Sequence, residues 1–241
     1  MPLTSYGLRE WLTIVVVALV LAAAAAWFGL WWLVAVVAII ALALLAFFRD
    51  PIRRVPTDLP AGTMLSPADG TISRIFRVDH HDAVGGPAQV IRIFLSVLDV
   101  HINRAPFDGE VVSIVHTPGR YLDARTEESA KVNESNLITM RVQIAPTTNA
   151  AVPSPAATSP QSREEQIGIR QVSGAIARRI VCPIEVGTRL ARGQRFGMIK
   201  FGSTTELILP RPDDVDVRVS VGTKVVGGRT VVAVLAPSPW S

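Results

Sequence analysis

The pattern of apolar and polar positions divides the chain near residue 50. From residue 11 to residue 48 there is no charged side chain, and only Thr13 and Gly29 interrupt the apolar run. As one helix that stretch would extend roughly 55 Å, well beyond a hydrocarbon core of about 30 Å. The pattern predicts two helices, 12–27 and 30–48, reversing at Phe28-Gly29-Leu30. Gly29 is the natural hinge because it accepts backbone angles closed to other residues. Past "FRDPIRRVP" the period changes. Short Val- and Ile-rich segments such as "GTISRIFRV", "QVIRIFLS", "GEVVSIVH", "NLITMRVQIA" and "TVVAVLA" alternate with Gly, Pro and Asp. Turn signals every eight to twelve residues predict strands of a sandwich or barrel. "ESAKVN" reads as a loop or a single helical turn.

Two internal echoes refine this picture. "PADGTI" at 67–72 resembles "PFDGEV" at 106–111, and "VGTRLARGQRFGMI" resembles "VGTKVVGGRTVVAV". Paired turns of this kind occur in small intertwined β folds of the lipoyl type. The expected class is therefore mainly β: a small intertwined sandwich or barrel (lipoyl-like, barrel-sandwich type) at 51–241, behind an α-helical membrane hairpin at 1–50. Residues 145–166, rich in Pro, Ala, Ser and Thr without apolar periodicity, read as a disordered insertion between two strands.

Charge sets the orientation. Arg9 stands before the apolar run, and Arg49, Arg53 and Arg54 follow it. Both ends of the hairpin should then face the cytoplasm, with the β body held against the inner face of the membrane. Each helix is near the lower limit for a span, so a re-entrant hairpin remains open. A cleaved signal peptide fits poorly, since the apolar region is too long and lacks a clear cleavage site. The net charge of +4 suits an anionic lipid surface. No dense basic run with interleaved aromatics occurs, which argues against nucleic acid. Cys182 is the single cysteine, so no intrachain disulfide can form.

The chemistry lies in scattered polar residues. His80 and His81 point to opposite faces of a strand and precede a hairpin signal, so they read as a solvated turn. With one cysteine and no His-x-x-x-His spacing, no metal site is expected. Asp69, His101 and Ser203 each have an ordinary structural explanation. Together they hold the parts of a base-activated serine, in which an imidazole removes the hydroxyl proton and a carboxylate fixes the imidazole tautomer. No Gly-x-Ser-x-Gly elbow is present, which disfavours an α/β-hydrolase.

The ordered set "FRDP", "LSPADG", "FLSVLDVHINRAP", "HTPGRYLDA", "NESN" and "FGSTTE" resembles the phosphatidylserine decarboxylase proenzymes, most of all their short bacterial form. The resemblance covers nearly the whole chain apart from 145–166. It implies that Ser203 attacks the carbonyl of Gly202 and that the chain parts into 1–202 and 203–241. Residue 203 becomes a pyruvoyl group, which replaces an external cofactor and forms a Schiff base with the amine of phosphatidylserine in the bilayer. Phosphatidylethanolamine is the implied product. Asp69 matches the family's acidic residue for self-cleavage. Longer forms carry His-x-x-His where this chain has His101 and Arg104. Either His101 serves both cleavage and decarboxylation, or His116 contributes; Arg104 would meet a substrate carboxylate or phosphate, or form a structural ion pair. A homodimer is left open. A non-catalytic membrane-tethered adaptor or a membrane serine hydrolase would account for fewer of these residues.

Overall fold

The computed structural model describes residues 2–123, 125–144, 163–175, 179–200 and 203–236. The apolar run forms two helices, α1 (Leu8–Trp27) and α2 (Trp31–Phe47), built largely from Ala, Leu and Val. They reverse where expected. Gly29 has φ +71°, its N–H donates to the Ala26 carbonyl, and the Leu30 N–H reaches back to the Ala25 carbonyl at 2.8 Å. This is a Schellman ending, which glycine accommodates without strain. α1 starts four residues earlier than the pattern suggests. Thr4 Oγ1 accepts the Tyr6 N–H and starts a 3-10 turn, Ser5–Gly7, that runs on into the helix. Arg9 therefore lies in the first turn of α1 and not before it.

The residues ahead of α1 close the base of the hairpin against the chain leaving α2. Thr4 N–H donates to the Phe48 carbonyl and Asp50 N–H to the Pro2 carbonyl, both at 2.9 Å. Among the described helices, α1 with its lead-in is long and apolar enough to cross a membrane; α2 is shorter. Their outer faces, including Leu19, Trp27, Trp31, Ile39 and Leu42, are exposed.

The rest is mainly β. In chain order it comprises β1 (Thr63–Leu65), β2 (Gly70–His81), β3 (Gly86–Leu95), β4 (Ile102–Arg104) and β5 (Gly109–Thr117). There follow the short helix α3 (Glu127–Val132), β6 (Ser135–Ile144), β7 (Arg163–Val172), β8 (Ile180–Val181) and β9 (Arg189–Leu190). The last are β10 (Arg195–Ile199), β11 (Ser203–Pro210), β12 (Val215–Val217), β13 (Lys224–Val225) and β14 (Val231–Leu235). Eight strands make one curled sheet in the order β13-β2-β3-β11-β7-β6-β5-β9. Two three-stranded sheets, β1-β14-β12 and β4-β10-β8, complete the body. Ile72, Ile91, Ile93, Met140, Ile169 and Leu207 from the large sheet share one core with Met64, Phe196 and Leu235 from the small ones. "ESAKVN" is helical, capped by Thr126 Oγ1 accepting the Ser129 N–H. His80 and His81 lie at the far tip of the β2–β3 hairpin, where His81 Nδ1 accepts the Ala83 N–H.

The sequence echoes become a pseudo-two-fold arrangement. β13 pairs with the start of β2 at one edge of the large sheet, and β9 pairs with the start of β5 at the other. Asp69 accepts the Gly227 N–H at 2.8 Å, and Asp108 likewise accepts the Arg192 N–H at 2.9 Å. The two halves cross with reciprocal bonds, Leu65 N–H to the Pro106 carbonyl and Arg104 N–H to the Pro67 carbonyl, each 2.9 Å. The insertion expected at 145–166 lies outside the described residues except for 163–166. Those four begin β7, where Arg163 pairs with Ile144 and Gln166 with Arg141, because cross-strand pairing outweighs their polar composition.

Candidate active site

Ser203 opens β11, the strand flanked by β3 and β7. Every residue of β11 is buried. Ser203 pairs with Leu95, and the adjacent Thr204 pairs with Val172. The hydroxyl of Ser203 is fully buried and has no hydrogen-bond partner among the described residues. Buried polar groups are nearly always bonded; the adjacent Thr204 hydroxyl is likewise buried without a partner among the described residues, so the head of β11 carries two such groups side by side. Gly202 lies outside the described residues.

His101 is also fully buried. Its Nδ1 lies 2.9 Å from the Asp99 carbonyl. A carbonyl only accepts, so Nδ1 carries the proton and Nε2 holds the lone pair. Burial pushes the imidazole pKa down to about 4, against smaller opposing effects from Asp99. His101 is thus a neutral base at ordinary pH. The ring of Phe47, the last residue of α2, packs on it with centroids 4.3 Å apart. Phe47, Phe48, Val100, Ile102 and Met198 form a separate small core, with Trp11 and Ile14 of α1 packed against it. The base of the hairpin is the roof over His101.

Strand pairing brings His101 and Ser203 to the same end of the body. Leu95 pairs with Ser203, and the Ile199 N–H donates to the His101 carbonyl. The segments 96–100 and 200–202 therefore connect ends that are already paired with each other. Asn103 Nδ2 donates to Thr205 Oγ1 at 3.0 Å; these residues lie two positions beyond His101 and Ser203, respectively.

The other candidates are engaged with other partners. Asp69 precedes β2, whose Thr71 pairs with Phe94, itself paired with Thr204, so it lies at the same end of the sheet as Ser203, two strands away. Both carboxylate oxygens of Asp69 bind the Arg53 guanidinium at 2.5 Å, and one also accepts the Gly227 N–H. At His101 the Asp99 carbonyl holds the tautomer. Arg104 has the structural ion-pair arrangement: it donates to Asp50 at 3.1 Å and to the Gly193 and Pro51 carbonyls. Asp50 also binds Arg195. His116 is half-exposed and contacts Glu134 at 2.8 Å. It stands in register with Asn136, Gln171 and Thr205 across β5, β6, β7 and β11. Three strand spacings separate it from β11, roughly 14 Å, so it cannot reach Ser203.

Sequence reasoning missed a buried chain of amides. Asn136 Nδ2 donates to Gln171 Oε1 at 3.0 Å, Gln171 Nε2 to Asn103 Oδ1 at 2.8 Å, and Asn103 to Thr205. The signal for Asn103 was its place two residues after His101 in "DVHINRAP". Asn136 closes the "NESN" motif, though nothing there marked its partner; Gln171 carried no local signal. Lys200, also overlooked, is buried beside the end of β10 and pairs with Glu10 of α1.

The family model described as phosphatidylserine decarboxylase matches residues 40–233. Three curated relatives are named phosphatidylserine decarboxylase proenzyme. That of Rhodopirellula baltica is 41% identical over 234 residues, 97% of this chain and 88% of its own. That of Symbiobacterium thermophilum is 41% identical over 215 residues, 89% of each chain. That of Carboxydothermus hydrogenoformans is 37% identical over 201 residues, 83% of this chain and 84% of its own.

The chain belongs to the phosphatidylserine decarboxylase family.

The family match starts inside α2 and so takes in Phe47, Asp50, Arg53, His101 and Ser203. The R. baltica relative aligns over enough of the chain to extend into α1. The phosphatidylserine decarboxylase likeness therefore joins the hairpin and the β body in one unit, as the Phe47–His101 contact does physically.

Proposed function

We propose that this chain is a membrane-associated phosphatidylserine decarboxylase that makes its own pyruvoyl group from Ser203, yielding phosphatidylethanolamine at the cytoplasmic face. The observation that carries the proposal is the Ser203 hydroxyl, fully buried and without a hydrogen-bond partner among the described residues, at the same end of the body as a neutral His101. An adaptor has no use for either. A serine hydrolase would keep the Ser203 hydroxyl and one intact chain, which the mass measurement below separates from this reading.

In this reading Ser203 Oγ bonds to the Gly202 carbonyl carbon while its proton passes to His101 Nε2. The bond between C of 202 and N of 203 then breaks, and the departing amine takes that proton, leaving an ester. Loss of the Cα proton of residue 203 expels the Gly202 carboxylate. Water then replaces the nitrogen, which leaves as ammonia. The buried position at the head of β11 suits the resulting carbonyl, which needs no protein hydrogen bond to replace. The pyruvoyl ketone supplies an electron sink for an amine substrate whose carboxylate leaves as carbon dioxide. His101 relays the proton that returns to carbon, and Phe47 keeps bulk water off its ring. Asp69 and Arg104 bolt the body to the segment that follows α2. The exposed apolar faces of α1 and α2 sit in the bilayer, which brings the site to the plane of the lipid headgroups.

Intact-mass measurement tests this. Active protein should consist of fragments 1–202 and 203–241, the smaller lacking a free amino terminus. Ser203→Ala should remain one chain and lose decarboxylation to background. A full-length chain in active enzyme would overturn the reading.

A further inference from the structure

Residues 96–99 form a tight turn. Asp99 N–H donates to the Ser96 carbonyl at 2.9 Å. Both the N–H and the hydroxyl of Ser96 donate to Asp99 Oδ2, at 2.8 and 2.7 Å. The two central positions of such a turn usually carry Pro, Gly, Asn or Asp. Here they are Val97 and Leu98, which are 46% and 83% exposed. Single exposed apolar residues are ordinary, and Val186 and Val221 are examples in this chain. The 96–99 turn differs in its position and rigidity. Arg49, one residue past Phe48, donates to the Leu98 carbonyl and fixes the turn beside the base of the hairpin. Ile52, on the same exit segment, is also exposed, and the exposed Arg9 and Arg54 flank that base. An apolar tip joined to an apolar helix pair, with arginines at the boundary, matches a phospholipid surface in shape and charge.

We infer that the 96–99 turn is a second bilayer contact, inserting Val97 and Leu98 into the headgroup–acyl boundary beside the hairpin. Asp99 couples this contact to the site: its carboxylate holds the turn together and its carbonyl fixes His101. The lipid surface and the base are thus set by one residue. The inference rests on the reading that the hairpin enters a bilayer, and it assigns the surface by which that bilayer meets the β body.

The test uses the full chain, with Cys182 replaced by Ala, bound to vesicles of phosphatidylcholine and phosphatidylglycerol. Single cysteines at Leu98, Asp82 and Phe28 carry an environment-sensitive fluorophore, and the lipids carry spin labels near the headgroup or deep in the acyl chain. Asp82 lies at the far end of β3, roughly 30 Å from the turn. The fluorophore at Leu98 should be quenched at least twofold more by the shallow label than by the deep one. That at Asp82 should be unaffected, and that at Phe28 should be quenched by at least one of the two labels. A Leu98 probe as unquenched as Asp82 while Phe28 responds would overturn the inference and leave the hairpin reading standing. If Phe28 is also unquenched, the hairpin reading fails and takes the inference with it. Concentration-dependent cross-linking of Leu98→Cys without lipid quenching would name a second copy of the chain as the occupant, and would equally overturn it.

Discussion

Burial withholds from His101 the water that would stabilise an imidazolium, so the side chain stays neutral down to about pH 4. Two outcomes follow. Maturation of the precursor should be insensitive to pH from about 8 to 5 if proton removal by His101 limits it, and should fall away below about 4; a rapid assay of fragment appearance reads this. Stability moves as well. The unfolded chain takes up a proton near the ordinary value of 6.5, while the folded chain resists until about 4. Stability from this residue is complete above 6.5 and is lost as pH falls toward 4, by ~3 kcal/mol in all. Urea unfolding of the uncleaved Ser203→Ala protein at pH 7 and pH 4 should show that loss, and adding His101→Gln should remove it. Asn103→Ala should destabilise by about 1–3 kcal/mol, because it leaves buried Gln171 and Thr205 groups unpaired. His101 and Ser203 were legible in sequence because the chemistry demands those residue types. The partners of Asp69 and Arg104 were not, since Arg53 and Asp50 lie in a linker whose charges read equally well as membrane-flanking.

At the scale of elements, the segment leaving α2 is a bolt. Asp50 binds Arg104 and Arg195, and Arg53 binds Asp69. Breaking a buried pair from one side leaves a charge without its partner. Arg53→Ala should therefore cost about 3–5 kcal/mol, and Arg53→Ala with Asp69→Ala should cost much less than the sum of the two single changes. A double-mutant cycle by chemical denaturation measures this; strict additivity would show that Asp69 is held by something else. The strands were visible as alternating Val and Ile, and the paired echoes at 67–72 and 106–111 foretold the crossing of two similar halves. Register was not visible. Only three-dimensional pairing shows that β11 lies between β3 and β7, or that the polar residues 163–166 extend β7. The early start of α1 was hidden because its cap, Thr4, precedes a turn of 3-10 helix and not the helix itself.

For the molecule as a whole, the placement of β11 decides what a broken chain would mean. β11 is hydrogen-bonded on both sides along most of its length, while β13 pairs with β2 and β14 with β1. A cut ahead of Ser203 therefore releases nothing: the 39 residues of the smaller piece, 203–241, stay woven into the larger. Yet the covalent link that delivered β11 to the middle of the sheet is gone. Uncleaved Ser203→Ala protein should recover its fold after dilution from denaturant into detergent, whereas the two-piece form should not, as circular dichroism and activity would report. If the chain parts there, assembly instructions exist only in the precursor, and each mature molecule would be a one-time product that heat or denaturant retires for good.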